Sequence, residues 1–226
     1  METTTRERIA SPLHTGVILA ALLLFDAATV VMRILRGTAE FVGSSGRLPL
    51  YAEIVAIQLL VLIAVASGTR GLRDLIVPAP SGRWRWLRYV AIGIGGWIVW
   101  MIISAALAQM LRPSPAELRA LMQFLPKNIT ERLCWVGFVV LTTACEEVIY
   151  RGYFLRQFEA MLRSAAAAVV LQAAVYAAGH AALGTALVVS VALLGVWLGV
   201  LTIWQKSIVP AMIVHAGAGL LGAFSP

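Results

Sequence analysis

Seven runs of apolar residues, at 15–34, 51–67, 87–111, 129–150, 165–183, 184–204 and 207–224, constrain this chain more than any other feature. About 20 apolar residues cross the hydrocarbon core of a bilayer. In lipid every backbone N–H and C=O must find its partner inside the protein, which leaves only helices and closed barrels. The runs are continuous and do not alternate in polarity, so they predict helices. The expected fold is all-α, a polytopic transmembrane bundle of about seven helices forming a single membrane domain over residues 1–226. At 60% hydrophobic and 13% charged residues, with a mean hydropathy of +0.86, the composition excludes a soluble globular domain.

The net charge of +7 does not point to nucleic acid, because the basic residues are spread over the short segments between apolar runs. Assigned to alternate sides of the membrane, 11 of the 18 lysines and arginines fall on the side of the N-terminus, which predicts a cytoplasmic N-terminus. Arg6 and Arg8 precede the first run as they would in a signal peptide. The run continues past Asp26 to Leu35 without a small-residue cleavage site, however, and is expected to be an uncleaved helix. Arginine outnumbers lysine 16 to 2, a bias of GC-rich bacterial genomes, so the expected location is a bacterial inner membrane. Cys134 and Cys145 lie eleven residues apart on one predicted helix, about 16 Å, which is too far for a disulfide.

Between the runs, residues 68–88 combine Pro78, Pro80 and Gly82 with arginines and with Trp84 and Trp86, as an interfacial loop would. Ser114-Pro115-Ala116-Glu117 has the cap, first-turn proline and third-position acid of a helix start. Leu118, Leu121, Met122 and Leu125 follow at helical spacing, predicting a short amphipathic helix on the membrane surface. A connector over the bundle end is the favoured reading, and a gate over lateral substrate access the sharper one. Gly195 and Gly199 are spaced for close approach of a neighbouring helix.

The fourth run ends in Cys145-Glu146-Glu147-Val148-Ile149-Tyr150-Arg151-Gly152, two carboxylates and a guanidinium at membrane depth. Each such group costs about 2.5–3.5 kcal/mol at a helix centre, against about 0.3–0.6 kcal/mol returned by a leucine. Ionisable residues so placed mark a functional site by default. Glu147 and Arg151, four apart, share a helix face and are expected to pair. Glu146 lies about 100° round the axis and is left free. Of three histidines, His14 precedes the first run, whereas His180 and His215 fall in separate late runs. Taken singly, each is expected to form an interhelical hydrogen bond. Taken with Glu146, they supply either a two-histidine, one-carboxylate shell for a catalytic metal such as zinc, or a glutamate general base with imidazoles that orient water. Cys145 reads as an apolar filler rather than a nucleophile. Asp26, seven residues before Arg33 on nearly the same face, reads as a structural interhelical contact.

The run EEVIYRG, with YAAGH ending at His180 and SIVPAMIVH ending at His215, resembles the motif set of the CAAX protease and bacteriocin-processing family of intramembrane endopeptidases. The resemblance covers about residues 130–224. It implies that Glu146 activates water, that His180 and His215 complete the site, with Glu146, His180 and His215 as the ligands if a metal is bound, and that Glu147 and Arg151 brace it. It also implies hydrolysis of a membrane-associated or lipidated peptide or protein. Tyr176 stands where the family has phenylalanine, and Gly219 where it has asparagine, four residues after His215. The Tyr176 hydroxyl is expected to substitute in part for that amide. The competing expectation, fed by Gly219, is a catalytically degenerate immunity or scaffold protein. A proton-coupled transporter lacks support, since neither inverted repeats nor paired broken helices are visible.

Overall fold

The computed structural model describes residues 8–36, 46–76 and 82–224, so Arg6, Pro78 and Pro80 lie outside the described residues. Among the described residues every regular element is helical. In chain order these are α1 (Pro12–Arg36), α2 (Arg47–Ser67), the single turn α3 (Leu72–Leu75), α4 (Arg83–Leu111), α5 (Pro115–Phe124) and α6 (Ile129–Glu146). A π-helical segment (Glu147–Phe154) follows, then α7 (Leu155–Leu162), α8 (Ala165–Ala178), α9 (Thr185–Gln205) and α10 (Val209–Leu220). Turns of 3₁₀ helix at Ala181–Leu183 and Leu221–Phe224 close the exits of α8 and α10.

The all-helical bundle is as expected, but the seven runs do not become seven equal spans. Five helices are long and apolar enough to cross a membrane, and two, α8 and the stretch from α10 to Phe224, are shorter. The fourth run does not stop at Tyr150: α6, the π segment and α7 form one 34-residue stretch, Ile129–Leu162. The helix can run on through Arg151 because that guanidinium is buried and paired. Arg151 is therefore not a loop cation, and one positive charge leaves the N-terminal side of the topology count. α8 ends early for a backbone reason. The chain turns between Gly179 and Gly184, and Gly184 adopts a φ of 115°, which residues bearing a Cβ rarely reach. The third span begins at Arg83, so Trp84 and Trp86 sit, exposed, on the first turn of α4 rather than in a loop.

Two helix contacts position the later spans. α8 packs on α9 at Gly195 and Gly199, the pair expected to admit a close neighbour; a Cβ on Gly195 would come within 2.9 Å of Ala173 Cβ. α10 lies between α4 and α6, with Ile213 against Gly93 and Gly219 against Val139. The centre of the bundle is the apolar cluster of Val65, Leu75, Ile149, Tyr153, Phe154 and Phe158 around the π segment. Cys145 belongs to that cluster, as a filler should, and both cysteines are free.

α1 runs along the outside and exposes Leu13, Val17, Leu24 and Ile34, the face a lipid-contacting helix presents. Polar contacts near its two ends hold it. His14, in the first turn of α1 rather than ahead of it, bonds Tyr153 OH (2.9 Å) and the Ala64 carbonyl (3.0 Å). Arg33 donates to the Ala182 carbonyl. Asp26 lies over Gly179, so Asp26 and Arg33 of α1 both meet the turn that ends α8, an interhelical contact as expected.

The amphipathic helix forms as α5, with the full capping box: Ser114 Oγ accepts from Glu117 N (3.2 Å), and Glu117 Oε2 accepts from Ser114 N (2.8 Å). Glu117 also caps a second helix, since its Oε1 accepts from Ala186 N (3.1 Å) in the first turn of α9. These donors, Ser114 foremost and then Ala186, hold the carboxyl below the ordinary glutamate value of 4.5. A group depressed in this way stabilises the fold above its unfolded value, and the contribution is lost as pH falls through the folded value. Hydrogen exchange at the Ala186 amide, corrected for intrinsic rates, should therefore accelerate as pH drops below about 4.5. In Glu117→Gln that pH dependence should disappear.

Candidate active site

The site forms where α6 gives way to the π segment. π turns are rare and recur at functional positions. Here the change of winding falls between Glu146 and Glu147, and both carboxylates reach one imidazole. His215 Nδ1 lies 2.8 Å from Glu147 Oε1, and His215 Nε2 lies 3.5 Å from Glu146 Oε2. The expectation that Glu146 points away from the Glu147–Arg151 pair is thus corrected in part. The two acids diverge around the helix, and the opposite edges of the His215 ring span the divergence.

Glu147 and Arg151 pair as expected, Nη1 to Oε1 at 2.9 Å, and both side chains are fully buried. Arg151 Nη2 donates to the Gly195 carbonyl (3.4 Å), and Gln172 Nε2 donates to the same carbonyl (2.8 Å). The guanidinium carbon also lies 4.7 Å from the ring centre of Tyr176, a cation–π contact. The outer pair is accessible: the side chains of Glu146 and His215 are 12% and 13% exposed, against 0% for Glu147 and Arg151. Glu146 and His215 are thus partly accessible, while the inner pair is sealed off.

Tyr176 connects the histidines. Its hydroxyl is 3.0 Å from His215 Nε2, and its carbonyl is 3.1 Å from His180 Nδ1. The rings of His180 and Tyr176 meet edge to face at 5.1 Å. Because a carboxylate only accepts, the proton of neutral His215 belongs on Nδ1, facing Glu147, and Nε2 accepts from Tyr176. The same logic places the His180 proton on Nδ1, facing the carbonyl.

These partners bear on a metal. His215 has both ring nitrogens engaged by protein groups, and His180 is turned toward its own helix. Among the described residues no group of three histidine, cysteine or acidic side chains is gathered closely enough to hold an ion. The arrangement of Glu146, His180 and His215 does not fit a zinc shell.

Gly219 has a packing reason. A Cβ there would lie 2.9 Å from Val139 Cγ1, and the Gly219 carbonyl accepts from Trp135 Nε1 (3.0 Å). α10 is pressed onto α6 at this point, and an asparagine side chain has no room. Sequence reasoning missed Gln58 on α2, whose amide nitrogen donates to Glu146 Oε1. It missed Gln172 on α8 as well. The available signal was the one that exposed the acids, a polar residue inside an otherwise apolar run.

Residues 128–221 match the family model described as type II CAAX prenyl endopeptidase, Rce1-like. The matched stretch runs from the N-cap of α6 to the end of α10, and it contains Glu146, Glu147, Arg151, His180 and His215. No curated protein and no solved structure matches the chain.

Removing the buried cation should be costly. Arg151→Met leaves Glu147 uncompensated in a dry interior, and we expect a loss of about 3–5 kcal/mol in denaturant unfolding of the detergent-solubilised protein. Adding Glu147→Gln to the same chain should recover part of that loss.

Proposed function

We propose, from the premise that residues 128–221 are a domain of the Rce1-like type II CAAX prenyl endopeptidase family, that this integral membrane protein cleaves a peptide bond of a membrane-associated or lipidated peptide by glutamate-activated water. The observation that carries this reading is the arrangement of two carboxylates on one histidine, one buried and neutralised by arginine, the other partly exposed. Glu146 takes a proton from the attacking water, the water oxygen bonds to the scissile carbonyl carbon, and the proton passes to the leaving nitrogen as the C–N bond breaks. Glu147, held by Arg151, fixes the tautomer and orientation of His215, as a carboxylate does for a catalytic imidazole elsewhere. The Tyr176 hydroxyl, which donates to His215 Nε2 in the resting site, turns its proton to the carbonyl oxygen as negative charge develops there, while His215 stays held by Glu147. In a site closed to bulk water such donors act strongly. His180 supports this wall by holding the Tyr176 backbone. We place the N-terminus on the cytoplasmic side, from the distribution of basic residues, and the protein in a bacterial inner membrane, from its excess of arginine over lysine.

Glu146→Gln keeps the shape of the side chain and removes the base. Turnover of a fluorescence-quenched farnesylated peptide by protein in lipid vesicles should fall by about 10²–10⁴-fold. If Glu146→Gln and His215→Ala fold normally and the cellular phenotype persists, the immunity or scaffold reading, fed by Gly219, takes its place.

Two further measurements separate the roles. Tyr176→Phe should slow turnover by about 10²–10³-fold if the hydroxyl serves the oxyanion; unchanged turnover removes that role. Dialysis against chelator should leave the rate unchanged, and restoration by added zinc after a loss would assign the work to a metal.

A further inference from the structure

Gln58 lies on α2, outside the 128–221 stretch that carries the family match, yet its amide reaches the candidate base. A carboxylate accepts and cannot donate, so the amide nitrogen is the atom facing Glu146 Oε1, and the amide oxygen is left beside that contact. That oxygen, Gln58 Oε1, is buried and has no hydrogen-bond partner among the described residues. A buried carbonyl oxygen left unpaired is destabilising, and in a helix run as apolar as α2 an alanine or leucine would avoid that cost. The last helix has no room for an amide, since Gly219 is closed off by Val139.

We infer that Gln58 is the water-positioning amide of this site, supplied from α2 instead of from the last helix. The inference rests on the endopeptidase reading above. Its nitrogen holds Glu146 Oε1, and its oxygen accepts one hydrogen of the water whose other hydrogen goes to Glu146. With both hydrogens directed, the water presents a lone pair to the scissile carbonyl. The water oxygen forms the new bond to carbon, Glu146 carries the proton, and Gln58 is unchanged at the end of the cycle. Gln58 therefore serves the reaction without gaining or losing a proton. The bland role, an interhelical hydrogen bond that glues α2 to α6, accounts for the nitrogen alone; an unpaired amide oxygen also occurs at Gln172, and what sets Gln58 apart is that its amide touches the candidate base.

The test uses the full chain in lipid vesicles and a fluorescence-quenched farnesylated peptide. Gln58→Met fills the same space without hydrogen bonds, and Gln58→Asn keeps the amide but withdraws it by one methylene. Both should lower kcat by about 10²-fold, the cost of a misplaced reacting group. KM should change by less than about threefold and the unfolding midpoint should stay put. The solvent isotope effect on kcat should rise, because proton removal from water becomes the slow step. A pure glue role predicts the opposite pattern, a lower unfolding midpoint with kcat retained, and that result overturns the inference. If Glu146→Gln abolishes turnover while Gln58→Met retains it, Gln58 alone is refuted. If Glu146→Gln itself turns over normally, the endopeptidase reading falls with it.

Discussion

The buried pair of Glu147 and Arg151 is the interaction on which the rest of the bundle turns. Two full charges at membrane depth are tolerable only when they neutralise each other, and here Glu147 Oε2 and Arg151 Nε stay without hydrogen-bond partners among the described residues, so the pair depends on its remaining contacts. One carboxylate oxygen takes both Arg151 and His215, and the guanidinium reaches on to the Gly195 carbonyl and the face of Tyr176. Those contacts tie the π segment to α8, α9 and α10 at once. The bundle thereby acquires a fixed relation among four elements that apolar packing in lipid, with little hydrophobic preference of one helix for another, would leave loose.

That fixed relation separates two acids of the same chemistry into two roles. Glu147 is dry and compensated; Glu146 is partly exposed and bonded to a neutral amide. Adjacent residues on one helix end up in different environments, which is how paired carboxylates come to do different work. The shared histidine is what makes the separation useful, because the ring transmits the placement of the buried acid to the accessible one.

Much of this was legible in the residues. The apolar runs gave an all-helical membrane bundle, the i,i+4 spacing gave the Glu147–Arg151 pair, and the Gly195–Gly199 spacing gave the close approach of α8 and α9. What the sequence could not show was length and winding. The run at 165–183 is apolar throughout, but a glycine backbone bends it at Gly179–Gly184, so α8 is short. Helical-wheel geometry put Glu146 and Glu147 100° apart, which is sound locally, but a single imidazole spanning both edges is a tertiary fact. The role of Gln58 was hidden for a similar reason. A polar residue in an apolar run could be flagged, but its meaning comes from lying opposite Glu146, 88 positions away.

Gly219 shows why a motif position and a chemical role are separable. The last helix is pressed against α6 at Val139, and tight contact there is one of the forces that brings His215, one turn earlier, down onto Glu146 and Glu147. An asparagine at 219 would need the Val139 side chain to give way. The close α10–α6 contact and an amide at that position are alternatives, and this chain has the contact. Polar groups on helices outside the motif, Tyr176 on α8 and Gln58 on α2, then stand where hydrogen-bond donors and acceptors are required. In a bundle built this way, the site is a property of how closely helices approach, and glycine placement belongs to the catalytic design as much as the acids do.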